Sequence, residues 1–262
     1  MASLHRSITI QCQGEPVLGT TVTASVSIFS RLLLAFLLFT SSIDRNGAWA
    51  QETEDFDWRL DNVISPVSDS SELVDSAFIV VAEGVESLLA IETEQPLVLV
   101  SRNQVADCCE ELYPLTNGYS CVVGPEGLCP SSTPQMSTAD VCRSTSCPAF
   151  VTVKGTNYIP PNREDEMVNA IHKTPLTAAI YASHESFQNY NGGIYFQANC
   201  STTELDHLVQ IVGYGTTPDA QDYWIIKNSW GTSWGERGYM RIVRGQNMCG
   251  IASNVFYPEL NI

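Results

Sequence analysis

The sequence predicts an α+β protein in which a helical part, residues 51–150, precedes a β-rich part, residues 151–262. Three observations carry that expectation. Apolar residues recur at three- and four-residue steps over 76–92, strand-like runs separated by glycine-containing turns fill the chain from 176 onward, and a stretch rich in Cys, Ser, Thr, Pro and Gly over 110–150 lies between them. In order, Ala77, Val81, Val85, Leu88 and Leu89 fall on one helical face, and 101–109 forms a second helix with Ser101 as its N-cap. A short charged helix spans 162–172, and strands follow at 176–182, 208–214, 223–227 and 238–243. The change of texture falls near residue 150, with no internal repeat.

The 262 residues, 44% of them hydrophobic and 16% charged, suffice for a core that needs no metal or disulfide staples. Thirteen Lys and Arg against 29 Asp and Glu give a net charge of −16, the wrong sign for following a phosphate backbone or anionic lipid. Nucleic acid is therefore excluded as an expected partner.

The apolar run 32–39 behind Arg31, followed by Ala48-Trp49-Ala50, has the form of a cleaved secretory leader over residues 1–50 and is by itself too short to span a bilayer. A signal anchor, extended by the weakly apolar stretch 22–29 with Arg31 as an interruption, is the alternative. A chain with a cleaved leader ends secreted or in a lysosome or vacuole. Of the nine cysteines all but Cys12 lie beyond residue 107, and in an oxidising compartment they are expected to pair. A zinc site drawn from Cys108, Cys109, Cys121, Cys129, Cys142 and Cys147 is disfavoured, because no CxxC pair occurs and no His lies among them. No metal and no cofactor is expected. Asn199-Cys200-Ser201 fits a glycosylation sequon.

His207 precedes one strand and Asn228 ends another; alone, each reads as a packing residue. Their surroundings change that. Asp206-His207-Leu208-Val209-Gln210-Ile211-Val212-Gly213-Tyr214-Gly215, the segment 223–245, and Asn247-Met248-Cys249-Gly250-Ile251-Ala252 together resemble the C-terminal half of the papain-like cysteine peptidases of cathepsin L and papain type. The resemblance implies a two-domain fold with an interdomain cleft. It makes His207 the general base, Asn228 the group that orients it and Trp230 the shield of their hydrogen bond. It also pairs Cys200 with Cys249 and Cys108 with Cys142.

The family's N-terminal pattern aligns from Pro66-Val67 through Glu86 and departs at the decisive places. Ser76 stands at the nucleophile position, Ala77 at the Trp that follows it, Ser70 at the oxyanion Gln and Leu73 at the first disulfide Cys, which leaves Cys121 as the candidate without a partner. The glycine-rich cleft segment is reduced to Ser120-Cys121-Val122-Val123-Gly124, and Glu72 and Asp75 put negative charge near the helix start. A serine hydroxyl, several pKa units above the ~8.5 of a thiol, forms no thiolate–imidazolium pair. The expected protein is therefore a monomeric homologue impaired in catalysis that binds peptides, proteins or protease inhibitors. The alternative is a slow peptidase or esterase that uses Ser76, His207 and Asn228. Structurally, Ser76 reads as a helix N-cap, and the His207–Asn228 bond as a tie between strands.

Overall fold

The computed structural model describes residues 55–70, 76–109, 114–124, 127–132 and 150–262. The leader, Glu72, Leu73, Asp75, Cys142 and Cys147 lie outside them. The strands are β1 (Phe56–Asp57), β2 (Thr152–Ile159), β3 (Leu176–Ile180), β4 (Ile194–Tyr195), β5 (His207–Thr216), β6 (Asp222–Lys227), β7 (Tyr239–Val243) and β8 (Val255–Asn261). They form one sheet in the order β2-β8-β3-β5-β6-β7-β4, with β1 added to β5. The helices are α1 (Ser76–Thr93), α2 (Arg102–Cys109), α3 (Pro114–Asn117), α4 (Glu164–Ile171) and α5 (Glu185–Gln188).

Helix α1 matches the sequence periodicity to within one residue, and Ala77, Val81, Val85 and Leu88 are buried as that periodicity requires. Val80, Ala82, Glu83, Gly84, Glu86 and Ser87 are buried too. A helix enclosed around its circumference is central rather than superficial; α1 packs on β3, β5, β8, α2 and α3. Closeness is set by Gly84, where a Cβ would overlap the Tyr119 hydroxyl. That hydroxyl reaches Thr177 Oγ1 on β3 at 2.8 Å. Helix α2 begins as expected, with Ser101 Oγ accepting the Gln104 N–H at 3.3 Å.

The sheet separates two apolar cores by simple alternation. Ala178, Val209 and Val255 face one core with Met167, Ile171, Trp224 and Ile242. Their neighbours Ala179, Leu208 and Phe256 face the other, with Val80, Val81, Val85 and Tyr119. The helical core thus draws wall residues, Leu260 included, from the second half of the chain.

Four strands lie beyond the sequence reading, the two-residue β1 and β4 and the longer β2 and β8. In β8, Pro258 obscures the pattern, because proline withholds an N–H from a ladder. The structure accommodates it: β3 pairs with β8 at Val255 and Phe256, and at Pro258 the neighbour among the described strands is β2 alone. Strand β2 carries a register shift between Val153 and Gly155 that breaks its alternation. The charged helix is shorter than the expected 162–172, since Asn162 is left-handed and Arg163 is the N-cap. Glu164, Asp165 and Glu166 in its first turn suit the positive end of the helix dipole.

The disulfide Cys200–Cys249 is present as expected. Cys121 is not left over: it pairs with Cys109. Cys108 and Cys129 are also disulfide-bonded, and the Cys108–Cys142 pairing falls outside the described residues. These four bridged sulfurs offer no thiolate, which removes them from the zinc alternative. Among the described residues no group of three His, Cys, Asp or Glu could hold a metal.

Candidate active site

Three chain segments meet at the start of α1. Ser76 is the first residue of that helix, His207 the first of β5, and Asn228 follows the last residue of β6. Ser76 Oγ lies 3.1 Å from His207 Nδ1, and His207 Nε2 lies 2.8 Å from Asn228 Oδ1. The hydroxyl of Ser76 thus turns toward the imidazole, a use distinct from the helix cap read from the sequence.

The Asn228 amide can face only one way. Its Oδ1 also accepts the backbone N–H of Ser229 at 2.8 Å, and a reversed amide would set two donors against each other. An oxygen there accepts from His207 Nε2–H, so Nδ1 is presented as acceptor for the Ser76 hydroxyl proton. This is the arrangement a general base requires. His207 is 7% exposed and Asn228 1%. The Trp230 ring lies 4.9 Å from the His207 ring, inclined by 37°, and Phe187 and Trp234 pack edge-on against Trp230. This aromatic group keeps water from the Nε2–Oδ1 bond.

Ser70 belongs to the same wall through its backbone. Its N–H donates to the Ser229 carbonyl at 2.8 Å, and the Gly231 N–H donates to the Ser68 carbonyl at 2.8 Å. Its side chain makes no hydrogen bond to Ser76, His207 or Asn228, so the structure places the oxyanion-position residue beside the site without engaging it.

A buried ionic group behind the site was not read from the sequence. Glu83 on α1 and Lys227 on β6, 1% and 0% exposed, are 2.7 Å apart. Ser68 Oγ donates to Glu83 at 3.1 Å, Lys227 Nζ donates to Ser65 Oγ at 3.1 Å, and Arg102 approaches Glu83 at 3.8 Å. The pair joins the helix that carries Ser76 to the strand that carries Asn228. The available signal was two acids, Glu83 and Glu86, within the apolar stretch of α1 and a Lys closing an apolar strand.

One turn along α1, Glu86 is fully buried and accepts the Val100 N–H at 3.0 Å. Burial, reinforced by the neighbouring Glu83 carboxylate, pushes its carboxyl from the usual 4.5 up to about 7. The raised pKa means that the unfolded chain loses this proton first as pH rises. Stability from this group is full below about 4.5 and falls away toward pH 7. The loss amounts to about 3 kcal/mol at 1.36 kcal/mol per unit. Denaturant midpoints measured across that window should fall for the wild type and stay level for Glu86→Gln. Parallel slopes would show that Glu86 is not the titrating group.

A family model described as papain family cysteine protease matches residues 52–259. "Digestive cysteine proteinase 1" of Homarus americanus is 34% identical over 80% of this chain and 68% of its own length. "Cysteine proteinase 3" of Dictyostelium discoideum is 35% identical over 77% of this chain and 62% of its own. The solved bromelain protease of Ananas comosus, in complex with the E64 inhibitor, superposes with a TM-score of 0.69 at 30% identity, covering 79% of this chain and 99% of that one.

Proposed function

The chain belongs to the papain family of cysteine proteases, and we propose that within it this protein is a homologue impaired in peptidase chemistry that retains the scaffold to bind peptides or proteins, protease inhibitors among them. One observation carries this reading: the group held 3.1 Å from the base His207 is the hydroxyl of Ser76. Without a thiolate, attack requires full proton removal by His207 as the bond forms. The imidazolium that results is met by the amide of Asn228, which supports positive charge less than a carboxylate would. Among the described residues no other cysteine is poised to substitute, since each of them is disulfide-bonded. A missing oxyanion side chain at Ser70 costs a further factor of about 10² to 10³.

The protein is proposed to act as a monomer outside the cytosol, secreted or in a lysosome or vacuole, because the cysteines among its described residues are disulfide-bonded. Among the described residues no helix is long and apolar enough to cross a membrane. Its net charge of −16 disfavours nucleic acid.

A second reading, slow acyl hydrolysis through Ser76, rests on the same 3.1 Å contact and on the acceptor set at His207 Nδ1. Fluorophosphonate labelling and peptide and ester turnover of the purified chain separate the two. The expected result is no labelling and turnover equal to that of Ser76→Ala. Labelling that disappears in Ser76→Ala would replace the first reading with the second.

A further inference from the structure

Asn199-Cys200-Ser201 is the only Asn-x-Ser/Thr triplet in the chain, with neither a Pro at its centre nor one after it. Asn199 is exposed on the turn between β4 and the Cys200–Cys249 disulfide, and no described residue hydrogen-bonds its amide. Asn247 provides the contrast. Its amide is fully used, donating to Asn162 Oδ1 and Ser253 Oγ and accepting from the Ala252 N–H. Among the described residues no side chain or backbone group employs the Asn199 amide, and its exposed position leaves room for a bulky substituent. The bridges Cys109–Cys121 and Cys200–Cys249 point to maturation in an oxidising secretory compartment, where Asn-linked transfer takes place.

We infer that Asn199 is an N-glycosylation site whose occupancy competes with closure of the Cys200–Cys249 disulfide. In the transfer, the Asn199 amide nitrogen bonds to the anomeric carbon of an oligosaccharide carried on a lipid pyrophosphate. The bond from that carbon to the pyrophosphate oxygen breaks, the amide loses one proton, and the lipid pyrophosphate departs. Nothing is oxidised or reduced.

The coupling follows from position. The central residue of the triplet is itself a disulfide cysteine, and in the folded chain Ser201 Oγ is engaged by the N–H groups of Thr203 and Glu204, at 3.3 and 3.0 Å. Once Cys200 is bridged to Cys249, the triplet is held in this turn and its hydroxyl is occupied. Transfer must therefore come before the bridge forms.

The test expresses the full chain in a eukaryotic secretory host and treats it with peptide N-glycosidase. The expected result is a single mobility shift on treatment, with Asn199 converted to Asp bearing heavy oxygen from labelled water. Asn199→Gln and Ser201→Ala should each abolish the shift. The glycosylated fraction should rise in Cys249→Ser, a readout on nascent chains that does not require the variant to fold. An unmodified Asn199 in both wild type and Cys249→Ser overturns the site, whether the chain is secreted or retained. An equal glycosylated fraction in the two overturns the competition.

Discussion

Ser76→Cys combined with Ser70→Gln is expected to produce alkylator-sensitive peptidase activity about 10² to 10³-fold above the wild type, the range that one restored oxyanion donor alone supplies. A thiol at position 76 would sit against His207 Nδ1, where the hydroxyl now lies at 3.1 Å, and at the N-terminus of α1. Both features lower a thiol pKa toward the thiolate. Asn228 already holds the imidazole through its 2.8 Å contact, so no further repair of the base is needed. Ser76→Cys alone should recover less, because the developing oxyanion would still lack its side-chain donor. Peptide kcat/KM before and after iodoacetamide decides the matter. Activity no higher than that of Ser76→Ala would mean that substrate is denied access, and the altered segment 120–124 would then be the place to look.

Glu83→Leu should cost about 3–5 kcal/mol of folding stability, because it strands the fully buried Lys227 ammonium. Arg102, partly exposed, can turn its guanidinium to water and contributes little to the loss. Adding Lys227→Met should recover most of the loss, since well-packed apolar groups commonly replace a buried ion pair without penalty. Chemical denaturation of the two single variants and the double variant tests this, and losses that simply added would show that the charges do not compensate each other. The same pair fixes α1 against β6. The single variants should therefore also loosen the registry of Ser76 on His207 and lower any activity gained by the Cys variant.

Much of this site was legible in the chain because short-range pattern and local chemistry were enough for it. The three- and four-step recurrence over α1, the acceptor at Ser101 and the strand carrying His207 each depend on residues close in sequence. The resemblance over 206–215 and 223–245 placed His207, Asn228 and Trp230 in one site before any distance was known. The N-terminal pattern aligned from Pro66 through Glu86 marked Ser76 as the departure. What escaped was whatever depended on contacts that local pattern does not encode. Cys121 looked unpaired because its bridge to Cys109 answers to spatial proximity. Strand β8 escaped because Pro258 is permitted only where β3 has already parted from it.

Composition and pattern alone determined the α+β class, the acidic character, the secretory expectation and the absence of a cysteine between 12 and 108. Only the tertiary structure decided that the Ser76 hydroxyl meets His207, that the Asn228 amide faces one way, and that Glu83 and Lys227 neutralise each other behind them. The reason is physical. Covalent neighbours and their periodicity are written along the chain, whereas hydrogen bonds and ion pairs between separate segments, such as those joining Ser76, His207 and Asn228, exist only after burial has excluded water and chosen their partners.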